Sequence, residues 1–323
     1  MKVTLLLVSL ALLLAGCGGA GGVAGETPAP APTPQEQQCQ AGGWQRAVVM
    51  AEGLPRLVLW KAPTGPWPRG AIVVLHGGGG SHTNFCVANV ALIEPQVRFT
   101  EAALAQGFAV FLLDSSDQVS DDAGRVCGKV WDDERRTRAN LDLPFLEAVL
   151  AREIAARRPA GSHAGVFLVG HSSGGFMAVR TATRHGALVR AFAAVAAGDP
   201  YGWTRDCTRR AGDRANVAGI GLDLETRLQI TVPAACEAAS YPGERTWDGA
   251  PADPRPAFRV FHHAEDGILD RSCVHKLRRQ LGARGYPETT PFELTGGARS
   301  VDAHYWLDAY NAPLLAWFAS FAP

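Results

Sequence analysis

The sequence predicts an α/β fold in which a mostly parallel central sheet is covered by helices on both faces. Short apolar runs rich in Val, Leu and Phe recur along the chain, and segments with helical periodicity separate them. The chain has 323 residues, which is enough for one large domain with a full core. One apolar run leads directly into a glycine-flanked serine and then a helical segment, the order expected at a tight strand-to-helix turn.

The predicted elements alternate along the chain. A hairpin opens the domain, because two β-rich runs flank a turn at Glu52 and Gly53. The most regular helical pattern covers 137–157, where Leu141, Phe145 and Val149 recur at helical spacing. The predicted strands are 46–51, 56–61, 71–75, 108–113, 166–169, 191–197, 258–261 and 291–295. The predicted helices are 99–107, 137–157, one following residue 173, 273–282 and 305–321.

Two segments lack regular periodicity. Residues 117–135 are polar and contain glycine, which predicts a surface loop. Residues 198–255 are rich in Gly, Pro, Asp and aromatic residues and are too long for an ordinary connection. We therefore predict an irregular, lid-like insertion over the site within a domain that spans 39–323.

The amino terminus predicts export. Lys2 precedes an uninterrupted apolar stretch over 3–14, which is typical of a signal peptide and too short to span a bilayer. This predicts a signal peptide over 1–16. Residues 17–38 consist mainly of Gly, Ala, Pro, Thr and Gln, so they are expected to form a flexible tether.

The end of the signal resembles the lipobox of bacterial lipoproteins. Leu14, Ala15 and Gly16 precede Cys17, and in that family the cysteine becomes the lipidated first residue of the mature chain. The resemblance implies a lipid anchor on Cys17, and Gly18 after it is compatible with sorting to the outer membrane. The alternative is an ordinary cleaved signal with an incidental cysteine.

Composition excludes several partners. Lys plus Arg and Asp plus Glu each number 31, so no basic field favours nucleic acid. No Cys or His cluster has zinc-ligand spacing, which predicts neither metal nor cofactor. We expect a monomer whose only membrane contact is the amino-terminal anchor.

The cysteines predict disulfides. After Cys17 an even number remains, as is usual in exported proteins, and many connectivities are open. The preferred pairing joins cysteines in connecting regions and leaves one pair by elimination. It is Cys86 with Cys127, Cys207 with Cys236, and Cys39 with Cys273.

The glycine-flanked serine is the first candidate catalytic residue. Gly170, Ser172 and Gly174 form a G-x-S-x-G pattern between an apolar run and a helical pattern. Such a turn lifts the serine Oγ out of the sheet at the positive end of the following helix. Ser172 is therefore predicted to be a nucleophile.

A serine nucleophile needs a base and an orienting acid, which in this kind of sheet follow later strands. Asp266 follows the strand at 258–261 and precedes a glycine at the loop tip, so it is the preferred acid. Glu265 and Asp270 are the alternatives. His304 lies on the loop that enters the last helix and is the predicted base.

An oxyanion needs two backbone donors. One is predicted at Ser173, the residue after the nucleophile. The other is predicted in the glycine run that follows the strand at 71–75, with Gly78 as first choice and Gly79 as second. No G-K-[ST] follows this run, so a phosphate loop is excluded.

Aromatic residues near the predicted site are candidates for a substrate wall. They are Trp131, Tyr201, Trp203 and Trp306. Ordinary packing is the competing interpretation for each of them.

Together these parts resemble the α/β-hydrolase fold, over about residues 45–323. A closer resemblance is to secreted esterases of the polyhydroxybutyrate depolymerase and feruloyl esterase type. It rests on the segments 74–80, 142–146, 170–177 and 191–195. The chain departs from that group where it has His263 in place of a usual glycine, and where a glycine is absent before His304.

The resemblance implies hydrolysis of small or polymeric carboxylic esters, including hydroxyalkanoate or aromatic-acid esters. A serine peptidase with the same machinery is an alternative, although no propeller-sized domain precedes the hydrolase region. A surface-anchored binding protein without catalysis is a third hypothesis, and reaction with a fluorophosphonate probe distinguishes it from both enzymes.

Overall fold

The computed structural model describes residues 29–116, 129–132, 140–200, 220–222, 229–231, 251–269, 271–297 and 301–322. The predicted signal peptide, Cys17 and most of the predicted tether lie outside these ranges. No helix in the described ranges has the length and apolarity needed to cross a membrane.

An eight-stranded sheet forms the centre of the domain, in the order β1-β2-β4-β3-β5-β6-β9-β10. The first two strands pair antiparallel, β2 pairs antiparallel with β4, and every later pair in this sheet is parallel. The prediction of a mostly parallel sheet is thus confirmed. The strands are β1 (Gln45–Ala51), β2 (Leu54–Lys61), β3 (Ala71–Leu75), β4 (Ala109–Leu113), β5 (Val166–His171), β6 (Ala191–Val195), β9 (Ala257–His263) and β10 (Phe292–Leu294).

Helices cover both faces of the sheet. Side chains of a strand alternate between faces, so Val73 belongs to one core and Val74 to the other. The core around Val73 includes side chains of α3, α5 and α6, and the core around Val74 includes those of α2 and α8. The helices are α1 (Pro34–Ala41), α2 (Glu94–Ala105), α3 (Leu143–Ala148), α4 (Ile154–Arg157), α5 (Ser173–Arg184), α6 (Arg271–Ala283), α7 (Val301–His304) and α8 (Asp308–Ala319).

The closing helix differs from its prediction over 305–321. The structure has a short α7 that ends at His304, followed by a separate α8. Between them Leu307 is extended, and Trp306 is buried against Phe85 and Phe99. Burial of this indole bends the chain away from helical geometry, so the base lies on a short helix of its own.

The long helix predicted over 137–157 begins later in the structure. Asn140 Oδ1 accepts the N–H groups of Asp142 and Leu143, and regular helix follows from Leu143. A π-helical turn (Val149–Glu153) joins α3 to α4. Most of the predicted insertion 198–255 and most of the loop 117–135 lie outside the described residues. The described part of the insertion includes two antiparallel strands, β7 (Ile220–Leu222) and β8 (Gln229–Thr231).

The predicted pairings of Cys86 with Cys127 and of Cys39 with Cys273 are wrong, because Cys39 and Cys86 bond to each other. Helix α1 lies beside the 3₁₀ turn His82–Phe85, and this packing brings the Cα atoms of Cys39 and Cys86 to 5.5 Å from each other. Cys273 is also disulfide-bonded, so Cys39 is not its partner. Sequence spacing does not show that α1 folds onto this turn, so the bond could not be predicted from the sequence.

Removal of the Cys39–Cys86 bond should destabilise the domain. The bond closes a loop with a sequence separation of 47, for which the chain-entropy relation gives about 4 kcal/mol. We expect the double substitution C39S/C86S to lower the urea midpoint of unfolding by a corresponding amount. An unchanged midpoint would show that the reduced chain keeps α1 in place without the bond.

Candidate active site

Ser172 lies at the tip of a sharp turn between β5 and α5. Its backbone has φ 51° and ψ −122°, a region that costs a non-glycine residue on the order of 1–3 kcal/mol. A Cβ at Gly170 would lie 1.9 Å from the Gly174 carbonyl oxygen, and one at Gly174 would lie 2.4 Å from the His76 carbonyl oxygen. Both glycines are therefore required for the turn to form. The sharp turn places the Ser172 Oγ at the carboxyl edge of the sheet.

The structure brings Ser172, His304 and Asp266 together in one hydrogen-bonded chain. His304 Nε2 lies 2.9 Å from Ser172 Oγ, and His304 Nδ1 lies 2.8 Å from Asp266 Oδ2. Since a carboxylate only accepts, Nδ1 carries the proton and Nε2 is free to accept the serine proton. The side chains of His304 and Asp266 are 6% and 2% exposed, so water competes little for these bonds.

Asp266 is held by its second oxygen. Its Oδ1 accepts the backbone N–H groups of Ile268 and Leu269, both at 2.8 Å. This fixes the carboxylate with Oδ2 directed at His304. Of the two alternatives, Glu265 is exposed to solvent and Asp270 lies outside the described residues.

His263 joins the loop of the acid to the loop that leads to the base. It is 1% exposed, and its Nε2 donates to the Gly296 carbonyl at 2.9 Å. Its Nδ1 accepts the N–H of Glu265 at 3.1 Å. Where the resembled esterases usually have glycine, this side chain therefore braces both loops.

His171 supports the base from behind, a role that the sequence did not reveal. Its Nε2 donates to the backbone carbonyl of His304 at 2.8 Å. Burial, assisted by the charge of His304, lowers the pKa of His171 to about 4. The ring is therefore neutral at physiological pH and adds no second positive charge beside a protonated His304. The only signal in the sequence was a histidine inside the G-x-S-x-G motif.

The substitution H171F should slow catalysis without unfolding the site. Phenylalanine fills a similar volume but leaves the His304 carbonyl without its donor, so the base is held less firmly. We expect kcat for an ester substrate to fall roughly 10- to 100-fold with KM nearly unchanged. An unchanged kcat, measured alongside thermal unfolding, would show that the position of His304 does not depend on this bond.

The glycine loop after β3 passes beside the nucleophile. A Cβ at Gly77 would lie 3.5 Å from the Ser172 Cβ, and one at Gly78 would lie 3.8 Å from the Ser173 Cβ. Gly79 donates its N–H to the Lys129 carbonyl at 2.8 Å, so it does not serve as an oxyanion donor. Gly78 N–H has no backbone acceptor in the described ranges and remains, with Ser173 N–H, the predicted donor pair.

Trp131 braces this loop and does not line a substrate wall. It is 1% exposed, its Nε1 donates to the His76 carbonyl at 2.8 Å, and its backbone N–H donates to Ser173 Oγ. Trp306 is also 1% exposed and packs in the core described above, with its Nε1 bonded to Asn311. The other two candidates, Tyr201 and Trp203, lie outside the described residues.

A buried ionic network lies behind the glycine loop. His82 is 2% exposed and lies between two carboxylates, with Nε2 3.1 Å from Glu36 Oε1 and Nδ1 3.1 Å from Asp114 Oδ1. Burial alone would lower the pKa of His82, but the two carboxylates outweigh it and raise this pKa. Burial would raise the pKa of Glu36, but the His82 bond and other partners lower it to about 2. Lys129 also pairs with Asp114, so the network reaches the residue whose carbonyl holds Gly79.

This network should make stability fall at alkaline pH. A raised pKa in the folded state means that the contribution of His82 is complete below its unfolded pKa of about 6.5 and is lost as pH rises through the folded value. We expect the melting temperature of the wild type to decline as pH rises above about 6.5, and we expect the decline to be shallower in H82Q. Equal slopes in the two proteins would contradict this assignment.

The central sheet, the elbow and the ordered serine, aspartate and histidine are the arrangement of an α/β hydrolase. The chain belongs to the alpha/beta hydrolase family, whose model matches residues 72–319. No curated protein matches the chain significantly in sequence.

Solved structures share the fold at low sequence identity. The 2,6-dihydroxy-pseudo-oxynicotine hydrolase has a TM-score of 0.53 and 14% identity, over 90% of this chain and 75% of that one. An arylesterase has a TM-score of 0.52 and 14% identity, over 93% of this chain and 89% of that one. A lipase in its open form has a TM-score of 0.52 and 15% identity, over 86% of this chain and 97% of that one. At these identities the likeness shows the common fold.

Proposed function

We propose that this chain is a serine esterase that hydrolyses carboxylic esters through an acyl-enzyme. The observation that carries the proposal is the hydrogen-bonded chain from Ser172 Oγ through His304 to Asp266, built on a strained elbow. Family membership and structural neighbours that include an arylesterase and a lipase support the same chemistry.

In the first half of the reaction, Ser172 Oγ attacks the ester carbonyl while its proton passes to His304 Nε2. Asp266 stabilises the resulting imidazolium through Nδ1–H. The N–H groups of Gly78 and Ser173 receive the oxyanion. The intermediate collapses when Nε2 returns the proton to the leaving alkoxide, which leaves an acyl group on Ser172. In the second half, His304 activates water in the same way, and the acid is released.

The substrate class follows from the resemblance to depolymerases and feruloyl esterases. We therefore propose hydroxyalkanoate or aromatic-acid esters, small or polymeric. With Trp131 and Trp306 buried, Tyr201 and Trp203 are the candidate wall residues that remain.

A substrate panel tests the function. It comprises p-nitrophenyl esters of short and long acids, a feruloyl ester, a hydroxybutyrate oligomer and an aminoacyl p-nitroanilide. Turnover of at least one ester well above the anilide is expected. Turnover of the anilide alone would establish a peptidase, and turnover of neither class would overturn the proposal.

We also propose export and lipid anchoring at Cys17. The apolar stretch after Lys2 and the Cys39–Cys86 disulfide support this proposal, since disulfides persist in oxidising compartments. Labelling of cells with a palmitate analogue should tag the wild type and leave C17S unlabelled and released from membranes. Equal labelling of the two proteins would place any lipid elsewhere.

A further inference from the structure

Three potential metal ligands come together where β9, β10 and α6 meet. His262 on β9 and Glu293 on β10 are register partners in the parallel pairing, so their side chains lie on the same face of the sheet. Helix α6 supplies His275, and the rings of His262 and His275 lie 6.4 Å apart at 83°. One donor atom from each of the three residues lies within 4.8 Å of the others.

The donor set suits a cation of the Zn²⁺ type. Two imidazoles and one carboxylate are ligands that Zn²⁺ binds at about 2.0–2.2 Å, with water in the fourth position of an open site. His262 Nε2 already lies 2.8 Å from Glu293 Oε2. Closure around an ion requires movement mainly of His275 and Glu293, which are both less buried than His262.

The position of His262 also suits a ligand. It is 2% exposed, so little water competes for its ring nitrogens. Its Nδ1 has no hydrogen-bond partner in the described part of the chain. Because Nε2 is the nitrogen that faces Glu293, an ion shared by the two residues binds at Nε2 and leaves Nδ1 protonated.

We propose that His262, His275 and Glu293 bind one divalent transition-metal cation of the Zn²⁺ type. The cation enters from the outer edge of the sheet, where the Glu293 side chain is 34% exposed. The bound cation links β9, β10 and α6 next to His263. His263 in turn bonds to the loop of Asp266 and to the loop that leads to His304. Three protein ligands and an unpaired Nδ1 give micromolar affinity rather than that of a dedicated structural zinc centre.

Sequence spacing did not predict this site, since no two of its ligands lie close together in the chain. The register of β10 on β9 and the packing of α6 create it. The site does not depend on the proposed esterase activity, because binding of the metal is measured directly.

Calorimetric titration of ZnCl₂ into the exported domain without a histidine tag tests the proposal. We expect one ion per chain and binding at least about tenfold weaker in H275A and in E293Q. The zinc-dependent rise in melting temperature should be larger in the wild type than in either of these two variants. Both variants change partly exposed side chains and leave the buried His262 in place.

Two matched controls locate the site. His185 lies 3.9 Å from Glu147, a histidine–carboxylate pair that belongs to no three-ligand cluster in the described residues, so H185A should bind zinc like the wild type. H304A should also retain binding, which excludes zinc held by the triad. Wild-type affinity in both H275A and E293Q, loss of binding in H304A, or no stoichiometric binding at micromolar zinc would overturn the proposal.

Discussion

Replacement of Ser172 by alanine is expected to reduce kcat for p-nitrophenyl esters by on the order of 10³-fold or more. Alanine lacks the Oγ that attacks the carbonyl, and nothing else at the elbow tip replaces it. The backbone strain at φ 51° is the same for alanine as for serine, so the fold should be retained. Steady-state kinetics and thermal unfolding on the same preparation measure both effects.

Ser173 provides the matched control. Its side chain accepts the Trp131 N–H, and its predicted catalytic contribution is a backbone N–H that alanine retains. We expect S173A to lose at most about tenfold in kcat, the scale of a small displacement of the loop. Activity retained in S172A from a clean preparation would contradict the nucleophile assignment, and loss of activity in S173A alone would move it to that residue.

The second large effect is expected for D266N, with a fall in kcat on the order of 10³- to 10⁴-fold. The reason is the tautomer of His304. The N–H groups of Ile268 and Leu269 demand an acceptor at Oδ1, so the asparagine oxygen must occupy that position. Its NH₂ group then faces His304 Nδ1, which must accept. The imidazole proton moves to Nε2, and the base can no longer take the proton of Ser172.

E265Q is the control for D266N, because Glu265 is an exposed neighbouring carboxylate and His304 Nδ1 bonds to Asp266 instead. Its activity should equal that of the wild type. D270N distinguishes the remaining alternative from the sequence. Nearly full activity in D266N together with a large loss in D270N would reassign the acid.

The parts of the site that the sequence could predict are those encoded locally. The elbow could be predicted because two glycines must flank Ser172 for the strand and the helix to approach each other. The pattern G-x-S-x-G shows these glycines directly in the sequence. Asp266 and His304 are readable because each follows a strand in the expected order. The mostly parallel sheet is readable because its strands are short, apolar and separated by helices.

The parts that could not be predicted depend on packing between distant segments. The Cys39–Cys86 bond requires α1 to lie against the 3₁₀ turn after the glycine loop. Trp131 donates to the distant His76 carbonyl, and Trp306 packs against the distant Phe85 and Phe99, so spacing in the sequence indicates the burial of neither. The role of His171 depends on the final position of the His304 carbonyl.

The most direct test of the central claim is to map the adduct formed with a fluorophosphonate probe. A triad serine that attacks carbonyl carbon also attacks phosphorus, and the adduct remains on its Oγ. After digestion and tandem mass spectrometry, we expect the probe on Ser172 of the wild type, no adduct in S172A, and much slower labelling in D266N. Labelling at another residue, or no labelling of a folded and active preparation, would contradict the assignment of Ser172, His304 and Asp266 as the catalytic triad.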